Sequence, residues 1–236
     1  MSSISVIIPA LNEEQNLRPT VEKILSVVPQ YFEHFELLIY DDGSEDKTTE
    51  IGIDLAKHES IKFTRHDISK NLGYIYQDGI KNATCEYVIM IHGQNDIKIE
   101  SLNSIFQNKE SDLVIPFQKN TFERPLSRAL ISRLFVLINN LIFGLRLKYY
   151  NHYVLCRKSL LESIEITSFS YAFQAEVLVK LIKQGVEFKE VGIYDDFSNK
   201  VESKAFRVRN IIGVMKFYIS IIHYLYIKRK KGECCE

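Results

Sequence analysis

The sequence predicts an α/β fold built on a mostly parallel central sheet, and two features of its first half carry this prediction. Short apolar runs alternate with segments whose apolar residues recur at helical spacing. The runs are almost entirely apolar, which is typical of strands that helices cover on both faces. Ligands of such sheets bind at the carboxyl ends of the strands, so the residues that follow each run are the candidates for a site.

The elements can be assigned in order along the chain. The predicted strands are residues 4–10, 35–40, 61–66, 86–91, 112–117, 149–158 and 186–194. The predicted helices are residues 17–28, 51–55 with their neighbours, 72–84, 124–147 and 171–185. The fourth is a long amphipathic helix or a helix pair, and Gly185 suits the end of the fifth. We expect one domain over residues 1–206 and a helical C-terminal extension with a basic tail over residues 207–236.

Composition excludes some classes of protein. The 236 residues are 46% hydrophobic, which suits one large domain with an appendage. Thirty basic residues balance thirty acidic ones, and this zero net charge argues against a nucleic-acid partner. The first apolar run is too short for a signal peptide. The four cysteines show no metal-ligand spacing, so a reducing, cytoplasmic location is expected.

Three polar clusters follow predicted strands, at residues 9–14, 41–46 and 92–96. Asp, Asn and Gly favour turns, so each cluster alone could be turn chemistry. Three clusters at one edge of a sheet indicate a binding site instead. In the last cluster His92, Gln94 and Asp96 occupy alternate positions, and such side chains face the same way when the segment is extended.

The first two clusters carry a resemblance to a known family. SVIIPALNEEQNL, followed by LLIYDDGSEDKT, resembles the opening of the inverting glycosyltransferases of family two, which have the GT-A fold. The resemblance continues through NLGYIYQDGIKNATCEYVIMIHG, SYAFQAEVLVKLIKQGVEFKEV and ESKAFRVRNI, to about Asn210. It is closest to the branch of dolichyl-phosphate mannosyltransferase and the bacterial polyprenyl-phosphate enzymes. It implies inverting transfer from a nucleotide-diphosphate sugar to a polyprenyl phosphate or a lipid-linked glycan, in cell-envelope polysaccharide synthesis.

The resemblance also implies a donor site. The loop after the first strand and the Asp-Asp pair would hold the nucleoside, and basic residues would clamp the leaving diphosphate. The residues assigned in this way are Pro9, Leu11, Asn12, Glu13, Asp41, Asp42, Gly93, Arg128, Ser132, Lys200 and Lys204. The alternative for Asn12 and Glu13 is the first turn of a helix, and the basic residues could be solvated surface charges. Asp42 is expected at a loop edge rather than in the core.

The metal motif departs from the family pattern. The family has Asp-x-Asp, often followed two residues later by Gln, whereas this chain has His92-Gly93-Gln94-Asn95-Asp96. We expect Mn²⁺ or Mg²⁺ to be bound by His92, Gln94 and Asp96, more weakly than by two carboxylates, and His92 favours Mn²⁺. A degenerate site that no longer binds metal is the alternative.

The acceptor side departs from the family as well. Asp96 and Glu176 are the candidate catalytic residues, and Glu176 could instead be an ordinary helix-face carboxylate. Gln118 stands where the family has Arg, and His152 where it has Gly, so acceptor recognition is expected to differ. A phosphate acceptor needs no general base, whereas a hydroxyl acceptor does. The scarcity of candidate bases mildly favours the phosphate.

A membrane surface is the expected partner of the C-terminal region. Residues 211–227 carry one formal charge, and the basic cluster 228–231 follows them. We expect a peripheral protein on the cytoplasmic face of the membrane, held by this segment and by the apolar face of residues 128–147. The alternative is a helix packed on the domain's own core. Transfer to a soluble saccharide and a catalytically silent GT-A binding module also remain open.

Overall fold

The computed structural model describes residues 2–123, 126–169, 172–196, 217–222 and 224, with only the backbone of 126–128. Within these residues seven strands form one sheet in the order β3-β2-β1-β4-β6-β5-β7. The strands are β1 (Ser3–Ala10), β2 (His34–Asp41), β3 (Ile61–Arg65), β4 (Tyr87–Met90), β5 (Leu113–Gln118), β6 (Leu155–Arg157) and β7 (Phe188–Ile193). Only β6 runs antiparallel to its neighbours, so the predicted, mostly parallel sheet is confirmed.

Helices flank this sheet. They are α1 (Leu17–Val27), α2 (Thr48–Leu55), α3 (Leu72–Asn82), α4 (Ile99–Phe106), α5 (Leu126–Phe143), α6 (Lys158–Glu162) and α7 (Phe173–Lys183). The segment predicted as one helix or a pair contains the single helix α5. Gly185 follows α7 with φ +88°, the left-handed conformation expected at a helix end. The sequence did not predict α4 and α6, which are short.

Alternation along the strands places a core on each face of the sheet. Val6 and Ile8 of β1 pack with α1 and α4 on one face. Ile7, between them, packs with residues of α3, α5 and α7 on the other face. The nearly apolar strands β1, β2, β4 and β5 are therefore buried on both sides, whereas the edge strand β3 is largely exposed.

The described part of the C-terminal extension packs on the domain. Residues 217–222 are helical, and Phe217 and Ile221 are buried. The Phe217 ring lies 6.1 Å from that of Phe143 on α5, and Asn139 donates a hydrogen bond of 3.2 Å to the Tyr218 hydroxyl. This supports the packed alternative for that turn, while the basic cluster 228–231 lies outside the described residues. No helix in the described ranges is long and apolar enough to cross a membrane.

Candidate active site

The three polar clusters lie together at the carboxyl edge of the sheet. They follow β1, β2 and β4, and β1 lies between the other two strands. Gly93 brings the third cluster close to the first: its N–H donates to the Pro9 carbonyl at 2.9 Å. A Cβ at Gly93 would lie 3.2 Å from that oxygen and 3.3 Å from Ala10 Cβ, a tight fit that favours glycine at this approach.

The loops after β1 and β2 are tied to each other. The Asn12 N–H donates to Ser44 Oγ at 2.9 Å, and Asn12 Oδ1 accepts from the Glu45 N–H at 2.9 Å. The Glu13 N–H donates to Thr48 Oγ1 at 2.7 Å. Leu11, beside them, is half-buried. These hydrogen bonds join the two loops that carry the predicted nucleoside-binding residues.

The two aspartates at the end of β2 are buried, and both shape loops. Asp41 accepts a hydrogen bond of 2.9 Å from the Ser44 N–H, within its own turn. Asp42 accepts from Ser69 Oγ at 2.6 Å and from the Lys70 N–H at 2.7 Å. Asp42 lies in the loop directly after β2, as expected, but the expectation that it lies outside the core is wrong: the residue is only 6% exposed, and its carboxylate fixes the segment that precedes α3.

A cavity of about 170 Å³ opens at this edge of the sheet. The three predicted metal ligands line it, together with residues from α3, β5, α7 and the segments beside β6 and β7. The lining residues are Leu72, His92, Gln94, Asp96, Gln118, Asn151, His152, Tyr153, Phe173, Gln174 and Asp195. The alternation at positions 92, 94 and 96 therefore brings these side chains to one cavity, as predicted.

His92, Gln94 and Asp96 differ in their contacts within the cavity. Gln94 Nε2 donates to Asp96 Oδ2 at 2.7 Å, so the amide turns its N–H toward the carboxylate. The Tyr153 hydroxyl donates to Asp96 Oδ1. Among the described residues no group of three His, Cys, Asp or Glu side chains could hold a metal ion. Gln94 is thus a hydrogen-bond donor to Asp96 in this structure, and its role as a metal ligand stays a prediction.

Asp96 and His92 still offer the chemistry of a metal site completed by a ligand's phosphates. Burial lowers the pKa of His92 below its ordinary value; the Asp96 carboxylate opposes this shift, and His152 adds to it. The imidazole is therefore neutral near pH 7, as a metal ligand must be. One carboxylate with phosphate oxygens is a common set for Mg²⁺. These two residues fit a divalent ion.

A second polar network crosses the cavity wall. His152 Nδ1 accepts from the Tyr153 N–H at 2.8 Å, so its proton lies on Nε2, which faces Asp195 Oδ2 at 3.1 Å. Gln118 Nε2 donates to the same oxygen. The sequence marked Gln118 and His152 as departures from the family but did not single out Asp195. Asp195 reaches the site through a bridge to Ile97, a pairing between distant segments that no local pattern shows.

Glu176 lies on α7 with its carboxylate inside the domain. It is 1% exposed, and it accepts hydrogen bonds from Lys180 Nζ at 2.5 Å, from the Thr167 N–H at 3.0 Å and from the Ser168 N–H at 2.8 Å. Its neighbours Phe173 and Gln174 line the cavity, and Glu176 does not. Through these hydrogen bonds Glu176 fixes the segment that precedes α7.

The predicted diphosphate contacts are described only in part. Ser132 is half-buried on α5 and does not line the cavity. Lys200, Lys204 and the side chain of Arg128 lie outside the described residues. Their roles stay predictions.

The fold of this chain matches that of solved glycosyltransferase structures. Glucosyl-3-phosphoglycerate synthase from Mycobacterium tuberculosis, in complex with Mn²⁺, UDP-glucose and phosphoglyceric acid, superposes with a TM-score of 0.69 over 92% of this chain and 79% of that one, at 16% identity. The same enzyme with Mg²⁺ and UDP gives 0.68. At this identity the likeness establishes the fold, and the fold is GT-A.

Sequence similarity then gives the family. Residues 5–165 match the model of glycosyl transferase family 2, and the chain belongs to that family. A dodecaprenyl-phosphate galacturonate synthase of Rhizobium johnstonii is 31% identical over 50% of this chain and 36% of its own length. A poly-beta-1,6-N-acetyl-D-glucosamine synthase of Staphylococcus epidermidis is 32% identical over 39% of this chain and 21% of its own length. The chain thus spans about a third or less of these curated relatives.

Proposed function

We propose that the protein transfers a sugar, with inversion, from a nucleotide-diphosphate sugar to a lipid-linked acceptor, a polyprenyl phosphate or a glycan carried on one, in cell-envelope polysaccharide synthesis. One observation carries the proposal. The Asp96 carboxylate, held by Gln94 and Tyr153, lies in a cavity beside the joined loops after β1 and β2. A nucleotide on those loops would place its diphosphate near Asp96. The relative named for dodecaprenyl-phosphate galacturonate synthesis supports the class of acceptor.

The described residues would divide the work of this reaction. The nucleoside would rest on residues 11–13, which are at least partly exposed, while the buried Asp41 and Asp42 hold the loops beside it. Asp96 and neutral His92 would hold Mn²⁺ or Mg²⁺ together with the donor's phosphates. When bound, such an ion neutralises the charge that develops on the leaving diphosphate. Gln94 keeps Asp96 in place, and an acceptor that enters from the cavity attacks the anomeric carbon on the face opposite the diphosphate.

Titration with UDP-, GDP- and dTDP-sugars, each with and without Mn²⁺, tests the donor site. We expect one nucleotide to bind and its sugar to be slowly released as free sugar when Mn²⁺ is present. Binding without any hydrolysis or transfer would favour the silent binding module. Absence of binding to every nucleotide sugar would contradict the proposal.

A specific observation keeps a hydroxyl acceptor open as a second candidate. The described cavity lining contains neither Lys nor Arg, whereas an anionic phosphate acceptor would be attracted by such groups. Asp96 is a carboxylate within the cavity and could take the proton of a hydroxyl acceptor. Product analysis with polyprenyl phosphate, a lipid-linked glycan and a soluble oligosaccharide separates these acceptors.

The outer face of α5 supports action at a membrane surface. Leu130, Leu134, Leu137 and Leu141 recur at helical spacing and are 52–74% exposed. Between Glu123 and Glu162 the sequence has no acidic residue. An apolar stripe with only basic charges around it is the chemistry of a helix that lies in the interface of an anionic bilayer.

A further inference from the structure

The cavity beside Asp96 has a distinctive chemical lining. Apart from the two imidazoles and the Tyr153 hydroxyl, its polar groups are two carboxylates and four amides. These are Asp96, Asp195, Gln94, Gln118, Asn151 and Gln174. Hydroxyl groups, which both donate and accept hydrogen bonds, match such a surface. The described lining contains neither Lys nor Arg, so a negatively charged group in the cavity would meet the carboxylates without a cation beside it.

Gln118 provides a separate sign of a missing partner. Its side chain is 8% exposed, and Nε2 donates to Asp195 Oδ2. This amide orientation is enforced, because the opposite one would set the amide oxygen against a carboxylate. The buried Oε1 then has no hydrogen-bond partner among the described residues. A buried acceptor left unpaired is unfavourable, so this atom suits a donor brought by a ligand.

Asp195 is held in one orientation behind Gln118. Its Oδ2 receives the Gln118 amide and the Nε2–H of His152, whose tautomer is set by the Tyr153 N–H on Nδ1. Asn120 fixes the backbone of the same residue: Nδ2 donates to the Asp195 carbonyl at 2.9 Å. A fixed carboxylate cannot swing away from an acidic ligand, so it contributes to selectivity.

We propose that this cavity is a subsite for one neutral sugar ring and that Gln118 and Asp195 determine its specificity. A ring hydroxyl donates to Gln118 Oε1, while the Asp195 carboxylate disfavours a ring that carries a carboxylate of its own. The cavity of about 170 Å³ is smaller than the roughly 300 to 1,000 Å³ of sites for larger ligands, which suits a single ring. The inference rests on the proposed function, and the ring could belong to the donor or to the acceptor.

Calorimetric titration of the full chain with UDP, UDP-glucose and UDP-glucuronate tests the donor arm, because the two sugars differ only at C6. If UDP fails to bind, the GDP or dTDP pair of neutral and acidic sugars replaces it. Methyl glucoside and glucuronate, each added to the nucleoside diphosphate complex, test the acceptor arm. In one arm we expect the neutral ring to bind at least about tenfold more tightly than the acidic ring, equivalent to about 1.4 kcal/mol.

Two variants identify the residues responsible. Asp195→Asn keeps the shape and removes the charge, so the preference for the neutral ring should fall to about threefold or less. Gln118→Leu removes the acceptor atom, so affinity for the neutral sugar should fall by about tenfold while that for the free nucleotide is unchanged. Glu36→Gln is the matched control. It neutralises a buried carboxylate in the first half of β2, away from this edge, and should leave the preference unaltered.

The results of these titrations distinguish failure of the sugar subsite from failure of the proposed glycosyl transfer. Equal binding of neutral and acidic rings in both arms, or an Asp195→Asn variant that folds and keeps the full preference, would overturn the subsite. Failure of every nucleotide sugar and saccharide to bind would overturn the proposed function and this subsite with it. Nucleotide binding with no gain from either sugar would overturn the subsite alone.

Discussion

Both carboxylate oxygens of Asp96 accept hydrogen bonds from protein donors, and Asp96→Asn tests whether the charge of this carboxylate is needed for turnover. Asp96→Asn presents an N–H₂ group to Gln94 or to Tyr153 in place of a carboxylate oxygen, so one of these partners must reorient to accept instead of donating. It also removes the charge that would face a cation. We expect turnover to fall by at least about 100-fold, the scale of losing an electrostatic group in an active site.

Tyr153→Phe is the control for Asp96→Asn, since it removes one donor but keeps the carboxylate, and its loss should be smaller. Steady-state transfer rates measure both variants. Wild-type turnover of a folded Asp96→Asn protein would exclude Asp96 from catalysis.

Gln94 provides a test of metal binding that does not depend on activity. Gln94→Asp would place a second carboxylate beside Asp96, one methylene further back than the present amide, which is unfavourable without a cation. The variant should therefore melt at a lower temperature than wild type in a chelator and gain more from Mn²⁺ in a thermal melt. Gln94→Ala, which removes the amide without adding charge, should lack this gain. A Mn²⁺ shift no larger than that of wild type would argue against a cation beside Asp96.

Asp42 combines a predicted ligand contact with a structural role. Asp42→Ala should abolish nucleotide binding and lower the free energy of unfolding by about 1 to 3 kcal/mol, because the donors of Ser69 and Lys70 lose their buried partner. Urea unfolding and calorimetry measure the two effects. Ser69→Ala, which removes one of the donors, should destabilise less. A variant with wild-type stability and wild-type donor affinity would remove Asp42 from both roles.

At the scale of elements, the sequence predicted the strands and the longer helices, because these depend on the local pattern of apolar residues. Apolar runs and helical periodicity located all seven strands of the described sheet, and the signal is clearest for β1, β2, β4 and β5, which are buried on both faces. The short β6 was predicted too long, since only Leu155–Arg157 pairs with its neighbours. The alternation of His92, Gln94 and Asp96 predicted a shared cavity. The hydrogen bonds that Gln94 and Tyr153 donate to Asp96 could not be predicted, because spacing does not encode the orientation of an amide or the approach of Tyr153 from a distant segment.

The pair formed by Glu176 and Lys180 on α7 distinguishes a catalytic carboxylate from a structural one. Both side chains are 1–2% exposed, and their charged atoms are 2.5 Å apart. Glu176→Gln leaves the buried ammonium without its counter-charge, so we expect a loss of about 3 to 5 kcal/mol in unfolding free energy. The double variant Glu176→Gln with Lys180→Met should recover part of it. A Glu176→Gln protein of unchanged stability but abolished turnover would instead identify a catalytic base.

At the scale of the whole molecule, the apolar surface of α5 and the C-terminal segment are the two regions expected to bind a membrane. Phe217 and Ile221 are buried against the domain, whereas Ile219 and Ile222 are 69% and 41% exposed. Truncation before residue 217 would therefore remove two core side chains and confuse unfolding with release from lipid. Truncation after residue 224 removes the basic cluster and spares this packing.

Flotation with anionic liposomes separates the apolar and the electrostatic contributions to membrane binding. Replacing Leu134, Leu137 and Leu141 by Gln should reduce binding at every salt concentration with little loss of stability, because these side chains are 52–74% exposed. Truncation after residue 224 should weaken binding mainly at low salt, by about 1 kcal/mol per basic residue near the surface. Ile53→Gln on α2, which is 57% exposed, is the control and should float like wild type. A wild-type protein that ignores anionic liposomes at low salt would exclude membrane docking and favour the soluble saccharide as acceptor.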